Sequence, residues 1–229
     1  MGETIQAVDL FAGAGGISWG LVMAVEDIQD DVELAAVNHW AKAIETHEMN
    51  HPWADHYHAK VEELNPTDVF EPPIDLITAG PECTHWSTAR GGKPVDEQKR
   101  SSPWHVLDWV EKLQPAHFLL ENVPEIESWG PVDEDGQPSR NGELFDAWVN
   151  ALHSLGYSVD WEVLNAADYG DATTRERLFV IGRRNHRPEF PEPTHSENGE
   201  EPSTEEWRPA AEIIDWDDEG DSIWSRNRP

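Results

Sequence analysis

The sequence predicts an open α/β fold in which a mostly parallel, twisted sheet carries helices on both faces. Short apolar runs typical of buried strands alternate with stretches whose apolar residues recur at helical spacing. A glycine-rich segment at residues 12–16 separates the first such run from the first helical stretch, as expected for a strand-to-helix turn. A chain of 229 residues suits one domain with an appendage and can bury a sizeable core.

Each element follows from the local pattern of apolar and polar residues. Continuous apolar runs predict buried strands at residues 6–11, 32–37, 75–79, 118–121, 158–164 and 178–182. Apolar residues three and four apart predict helices at residues 17–27, 41–49, 104–113 and 142–155. Because strands and helices alternate, we expect the strands to pair in parallel.

The chain changes character after residue 187. Prolines at positions 188, 191, 193, 202 and 209 interrupt any regular element. Eleven acidic residues and one arginine lie between positions 197 and 221. We therefore predict a main domain over residues 1–187 and an acidic, proline-rich linker or docking arm over residues 188–229, with a short helix at 210–214.

The net charge of −30, from 46 acidic and 16 basic side chains, indicates an unusual solvent. Self-repulsion at this charge destabilises a compact state, but in molar salt the Debye length falls to about 3 Å and screens it. We expect a salt-rich cytoplasm, and the alternative is an acidic protein of ordinary salinity. Such a charge by itself argues against nucleic acid as a partner, which the motifs below contradict.

Several function classes are excluded by composition. No apolar run approaches the roughly 18–20 residues of a membrane span, and residues 1–4 lack the features of a secretory signal, so a cytoplasmic protein is expected. A single cysteine excludes an internal disulfide framework and a multi-cysteine zinc site. Histidines 51, 56 and 58 lack companions at ligand spacing, so we expect no metal and place them on the surface.

The glycine-rich turn and the residue after the second strand are candidate ligand contacts. D-L-F-A-G-A-G-G at residues 9–16 could hold a nucleotide or an adenosyl cofactor beside the positive end of a helix, or serve only as a turn. Trp40 could lie against a flat ring at the strand ends or pack in the core.

Two further strand ends carry reactive side chains. Cys83 follows the 75–79 strand in a polar loop, which favours a nucleophile over an inert core thiol. Arg90 and Lys93 make that loop basic, which suits phosphate or a solvated loop. Glu121 and Asn122 end the next strand, where the carboxyl group could donate a proton or cap the following turn.

Taken in chain order, these segments resemble the motifs of the DNA (cytosine-5) methyltransferase family. Residues 9–16 resemble its first motif, and G-P-E-C-T-H-W-S at 80–87 its nucleophile loop. E-N-V at 121–123 resembles its Glu-Asn-Val motif, and residues 165–177 its Tyr-Gly…Arg-x-Arg motif. Four motifs in the family's order, over about residues 5–185, are far more specific than any one of them.

The resemblance implies a Rossmann-like, S-adenosylmethionine-dependent fold and methyl transfer to C5 of a flipped-out cytosine in DNA. Cys83 would add to C6, Glu121 would protonate N3 and Asn122 would hold the loop. Arg175 and Arg177 would hold the base through charge-assisted hydrogen bonds. The implied cofactor contacts are Asp9, Phe11, Ala12, Gly13, Gly15, Gly16, His39, Trp40, Val61 and Pro81. The implied DNA contacts are Ser87, Arg90 and Lys93.

The chain departs from the family pattern at several positions. Glu82 precedes the cysteine where the family has proline, and an adjacent carboxylate leaves less thiolate. His39 and Lys60 stand where the family has acids for the ribose and the adenine amine. Thr84 and Thr173 each replace a glutamine. These departures imply weakened cofactor binding, and they do not imply a different fold.

Nothing after residue 187 resembles the family's target recognition domain or its final motif. We expect double-stranded DNA as the partner, with a second chain or a missing C-terminal region supplying recognition, in restriction–modification, host DNA marking or a virus. The alternatives are a non-catalytic subunit of the same fold that binds DNA or cofactor, and an enzyme acting on RNA. Cys83, Glu121 and Arg177 together favour an enzyme over the non-catalytic subunit, because a binding module needs none of them.

Overall fold

The computed structural model describes residues 2–81, 102–131 and 139–218, and a seven-stranded sheet is its centre. The strands are β1 (Thr4–Leu10), β2 (Asp31–Asn38), β3 (Asp55–His58), β4 (Leu76–Ala79), β5 (His117–Asn122), β6 (Tyr157–Asn165) and β7 (Glu176–Arg184). Their order is β3-β2-β1-β4-β5-β7-β6. The pairs from β3 across to β5 are parallel, and β7 runs antiparallel to β5. The predicted Rossmann-like α/β class is confirmed.

The described helices alternate with the strands as the sequence predicts. They are α1 (Gly16–Ile28), α2 (Ala41–Asn50), α3 (Ser102–Leu113) and α4 (Glu143–Ser154). Short 3₁₀ turns connect several elements, and the helix predicted at 210–214 is a 3₁₀ turn at Ala210–Glu212. Within the described ranges, every helix is too short or too polar to cross a membrane.

Large aromatic side chains fill the core, and the indole N–H groups of two of them donate to backbone carbonyls. Trp109 Nε1 donates to the carbonyl of Val61 at 3.1 Å, and Trp148 Nε1 donates to that of Pro103 at 2.8 Å. Buried indole N–H groups need such partners, because an unpaired buried donor destabilises the fold. Some of the 12 tryptophans therefore pack in the core, and others lie on the surface.

One sequence expectation about the histidines is wrong. His51 was expected on the surface, but it is only 1% exposed. It lies one helical turn after His47, which is also fully buried, and both side chains lie on the face of α2 that packs against the glycine-rich turn. Burial was missed because histidine's polar character gives no sign of the partners that the fold supplies.

The chain divides into two compact units. The first comprises residues 1–163 and 177–190, and the second comprises 164–176 and 191–229. Inside the second unit, Trp207 Nε1 donates to Asp168 Oδ1 at 2.9 Å and Tyr169 Oη donates to the carbonyl of Pro191 at 3.0 Å. The acidic segment is therefore tied to residues 164–176 by specific hydrogen bonds.

Candidate functional site

The turn between β1 and α1 has a backbone conformation that few residue types other than glycine adopt. The φ angle is +60° at Phe11, +59° at Gly13 and +94° at Gly15. The amide of Ala12 donates to the carbonyl of Val37 at 3.1 Å, which fixes the start of the turn against the end of β2. Glycine adopts positive φ without steric cost, so this turn can bring the main chain close to a ligand.

An open cleft of about 390 Å³ lies at the carboxyl ends of β1, β2 and β4. The chain winds from β1 through β2 to β3 on one side and then returns to place β4 on the other side of β1. Open α/β sheets bind ligands at such a reversal of strand order. The lining residues are Phe11, Gly13, Ala14, Asn38, His39, Trp40, Lys42, Ala43, Thr46 and Gly80.

Trp40 is the most distinctive wall of the cleft. Its side chain is 63% exposed although it borders the cavity, so its indole face is open to a ligand rather than committed to the core. Its backbone is fixed by the amide, which donates to Asn38 Oδ1 at 2.9 Å. Of the two interpretations open for Trp40, core packing is excluded by this exposure.

Four of the cofactor contacts implied by the resemblance line the cleft, namely Phe11, Gly13, His39 and Trp40. Six others do not line it: Ala12, Gly15 and Gly16 in the same turn, Pro81 next to Gly80, and the buried Asp9 and Val61. The cleft is also lined by Ala14, which lies within the predicted glycine-rich turn, and by residues that sequence reasoning missed, namely Asn38, Lys42, Ala43, Thr46 and Gly80. The signal for those on α2 was present, because positions 42, 43 and 46 share one face of a helix that begins at the end of β2.

Asp9 is enclosed behind the turn. It is fully buried and accepts a hydrogen bond from Ser18 Oγ at 2.5 Å. Burial raises the pKa of Asp9 to about 6, although the Ser18 hydrogen bond lowers it. Asp9 therefore does not contact the cleft directly.

An ion pair closes the carboxyl end of β5. Arg177 Nε lies 3.0 Å from Glu121 Oε1, and the two side chains are 22% and 25% exposed. The antiparallel register sets Glu121 opposite Phe179, which brings residue 177 beside the strand end. Glu121 Oε2 would lie 4.0 Å from a Cβ built on Gly80, so the pair borders the wall of the cleft. Two residues that the sequence proposed for one site are thus in contact.

Asn122 ties β5 to the start of the cysteine loop. It is 1% exposed, and its Nδ2 donates to the carbonyl of Pro81 at 3.1 Å while its Oδ1 accepts from the amide of Val123 at 2.9 Å. Pro81 is the last described residue before positions 82–101. Cys83, Ser87, Arg90 and Lys93 lie outside the described residues.

Arg175 lies in the second unit, where it is exposed and its carbonyl accepts from the amide of Ala166 at 3.0 Å. Nowhere in the described ranges do three or more His, Cys, Asp or Glu side chains form a group that could hold a metal ion. The Glu121–Arg177 pair can transfer a proton and form charge-assisted hydrogen bonds, and the exposed indole of Trp40 can bind a flat ring.

We expect Asn122→Ala to destabilise the first unit by about 2 kcal/mol, because it leaves the carbonyl of Pro81 without its buried donor. Urea unfolding at fixed salt measures the loss. Asn150→Ala on the exposed face of α4 is the matched control and should stay within about 0.5 kcal/mol of the wild type. Equal stability of the two variants would contradict the anchoring role.

The sequence matches the family model described as C-5 cytosine-specific DNA methylase over residues 5–223. Among curated proteins, the Type II methyltransferase M.MthTI of Methanothermobacter thermautotrophicus is 32% identical over 192 residues, covering 82% of this chain and 53% of its own length. The Type II methyltransferase M.Sau3AI of Staphylococcus aureus is 28% identical over 187 residues, covering 78% of this chain and 43% of its own. The chain thus spans about half the length of these relatives.

Solved structures show the same fold. A DNA modification methyltransferase encoded within a prophage (E. coli) superposes with a TM-score of 0.62 and 31% identity, covering 79% of this chain and 47% of that chain. The S. pombe Dnmt2 methyltransferase has a TM-score of 0.60 over 82% of this chain and 52% of its own, and at 19% identity the likeness concerns the fold alone.

Proposed function

Because the chain belongs to the C-5 cytosine-specific DNA methylase family, we propose that it transfers a methyl group from S-adenosylmethionine to C5 of cytosine in double-stranded DNA. The observation that supports this most is the Glu121–Arg177 ion pair beside the open cleft that Trp40 walls. The carboxyl group and the guanidinium could bind the cytosine, and the cleft beside them could bind the cofactor.

The residues of the cleft fit S-adenosylmethionine, which supplies an electrophilic methyl group. Trp40 offers an exposed indole face for the adenine, and the positive-φ turn at Phe11 and Gly13 allows close approach of the main chain. His39 would meet the ribose, where its imidazole can both donate and accept hydrogen bonds. Asn122, through Pro81, would hold the loop that follows.

The reacting cytosine would be handled by side chains at the ends of β4 and β5. Cytosine C5 is a weak nucleophile, so the Cys83 thiolate would first form a bond to C6 while Glu121 delivers a proton to N3. C5 would then take the methyl group, with S-adenosylhomocysteine as the leaving group. A base would remove the C5 proton as the bond from C6 to the Cys83 sulfur breaks, and N3 would return its proton to Glu121. The target base must leave the duplex stack, at a cost of a few kcal/mol.

Arg177 would have a double role in this scheme. In the free protein it holds Glu121 at 3.0 Å, so an incoming base competes for both partners. Charge-assisted hydrogen bonds from Arg177, and from Arg175, would then fix the base and its O2. Ser87, Arg90 and Lys93 would contact the DNA backbone.

Target recognition would come from outside the matched region. The chain covers 43% and 53% of the two curated relatives, so we propose that a further C-terminal region or a second chain reads the DNA site. In this scheme residues 1–187 are the catalytic domain and 188–229 lead toward the recognition region, in a cytoplasmic protein.

Trapping on a fluorinated substrate tests the reaction. We expect the wild type, incubated in molar KCl with S-adenosylmethionine and duplex DNA containing 5-fluorocytosine, to form a covalent adduct, since the fluorine prevents the final elimination. Cys83→Ser, which removes the only thiol of the chain, should form none. Duplex with unmodified cytosine is the control and should leave no lasting adduct. If the wild type formed no adduct even with a C-terminal recognition partner added, the enzymatic proposal would be contradicted.

The half-length coverage favours one alternative, a non-catalytic subunit of the same fold that lends a cofactor or DNA surface to a partner. That protein would bind S-adenosylmethionine but would form no adduct with any partner. The same trapping experiment, with binding measured beside it, separates the two functions.

We also propose that the protein works in high salt, because the net charge is −30. Screening of this charge should raise the melting temperature between 0.1 M and 3 M KCl, with most of the rise below about 1 M, where the Debye length shortens most in absolute terms. Circular dichroism measures it. Sucrose, which stabilises by exclusion without screening, is the control. A melting temperature that is unchanged by KCl would contradict the proposal.

A further inference from the structure

A buried chain of hydrogen bonds runs behind the glycine-rich turn. Ser18 Oγ donates to Asp9 Oδ2 at 2.5 Å, and His47 Nε2 lies 3.0 Å from the same hydroxyl oxygen. His47 Nδ1 lies 2.8 Å from His56 Nε2. Asp9, Ser18 and His47 are each fully buried. The chain therefore links β1, α1, α2 and β3, the four elements around the turn.

With Asp9 ionised and His47 neutral, counting hydrogens fixes the direction of every bond. The Ser18 hydroxyl has one hydrogen and gives it to Asp9, so His47 Nε2 must donate to the Ser18 oxygen. His47 Nδ1 then has no hydrogen and must accept from His56 Nε2. His47 is held as one neutral tautomer with both ring nitrogens in use.

The same residue types occur in hydrolytic triads, but this arrangement cannot act as one. The hydroxyl lies between the carboxylate and the imidazole, so His47 donates to Ser18 instead of taking its proton. Ser18 is also fully buried, so no substrate reaches its oxygen. The chain of hydrogen bonds must act on its surroundings.

Its surroundings are the carbonyl groups of the turn. Asn50 Nδ2 donates to the carbonyl of Ala14 at 2.8 Å, and His51 Nε2 donates to that of Gly15 at 3.2 Å. Residues 47, 50 and 51 share one face of α2, and the His47 and His51 rings lie 4.8 Å apart. Ala14 in turn lines the cleft, so the face of α2 is coupled to the shape of the ligand site.

We propose that His47 is a positioning residue for the cofactor cleft. Its hydrogen bonds to Ser18 and His56 fix the position of α2 against the turn, and Asn50 and His51 at the end of α2 then hold the carbonyl groups of the turn. The inference rests on the proposed function only for the identity of the ligand, S-adenosylmethionine. The groups that face His47 are Asp9 through Ser18, His51 directly after α2 and His56 on β3. Burial, with the nearby His51 and His56, lowers the pKa of His47 to about 4, which agrees with a neutral ring.

Hydrogen exchange of the turn, followed by mass spectrometry in 2 M KCl, tests this without any ligand. In His47→Phe, which keeps a ring but loses both hydrogen bonds, we expect amides of residues 11–16 to exchange at least about tenfold faster. His47→Gln, which can still donate to Ser18, should restore most of the protection. His186→Phe, at an exposed histidine, is the matched control and should exchange like the wild type.

Binding of S-adenosylmethionine by calorimetry gives the second readout. We expect the Kd to rise about tenfold in His47→Phe and to recover in His47→Gln. If His47→Phe does not fold, Asn50→Ala removes only the exposed amide that holds Ala14, and it should loosen residues 11–16 in a stable protein. Unchanged exchange in a folded His47→Phe, or in Asn50→Ala, would overturn the inference. A wild type that does not bind S-adenosylmethionine would instead overturn the proposed function, while the exchange of the turn still decides the role of His47.

Discussion

Gly15→Ala should destabilise the protein by about 3 kcal/mol or more and abolish ligand binding in the cleft, whereas Gly13→Ala should cost about 1 kcal/mol. Both glycines have positive φ, +94° and +59°, so each substitution carries the left-handed backbone penalty. A Cβ at Gly15 would also lie 2.7 Å from Cδ2 and Nε2 of His51 and 3.1 Å from His47. At Gly13 the nearest atom is the carbonyl oxygen of Phe11 at 3.9 Å.

The difference arises because the His51 ring has no room to move. It is 1% exposed, its centroid lies 6.2 Å from that of Trp19 and 6.0 Å from that of Trp53, and its Nε2 donates to the carbonyl of Gly15 itself. Relief of the clash would therefore displace the turn and with it the wall of the cleft. Gly13→Ala is the matched control, since it shares the backbone penalty without the clash.

Urea unfolding and calorimetry with S-adenosylmethionine, both in 2 M KCl, measure the two effects. The decisive quantity is the gap between the variants and not either loss alone. If Gly13→Ala and Gly15→Ala lost the same stability and the same affinity, backbone strain would account for both and the packing of His51 under the turn would be refuted.

Most of the fold could be predicted from the sequence, because most of its strands and helices depend on local patterns of apolar and polar residues. Apolar runs and helical spacing predicted β1, α1, β2 and α2 to within a few residues. β3 was missed because D-H-Y-H is short and has no apolar alternation. It is a strand only because β2 pairs with it in parallel, with Val37 opposite Tyr57, and such a partner is invisible in local sequence.

The site was predictable in its residue types but not in its contacts. The motifs pointed to Glu121 and Arg177, yet their 3.0 Å contact depends on β7 running antiparallel to β5, which strand–helix alternation does not reveal. The buried role of His47 had no sequence signal at all, because its tolerance of burial comes from Ser18 and His56, which lie 29 and 9 positions away. Polar groups become buried when the fold pairs them, and pairing is a three-dimensional property.

Asp9 and His47 should give opposite pH dependences of stability when each is removed. The folded-state pKa of Asp9 is raised from 3.8 to about 6, so the folded protein binds the extra proton and the contribution of Asp9 to stability falls as pH rises through this window. The pKa of His47 is lowered from 6.5 to about 4, so the unfolded chain binds the extra proton and its contribution rises with pH. Each shift of about two units corresponds to about 3 kcal/mol.

In the wild type the two contributions overlap between about pH 4 and 6.5 and nearly cancel. Asp9→Asn should leave the His47 contribution, so that its free energy of unfolding relative to the wild type rises by about 3 kcal/mol from pH 4 to pH 7. His47→Gln should leave the Asp9 contribution and fall by a similar amount over the same range. Urea unfolding of both variants measures these differences, and the many surface carboxylates cancel because they are common to all chains. His186→Gln, at an exposed histidine, is the control and should follow the wild type. If the free energy of unfolding of Asp9→Asn and of His47→Gln changed with pH in the same direction, the two groups would not titrate as buried partners of one hydrogen-bonded chain.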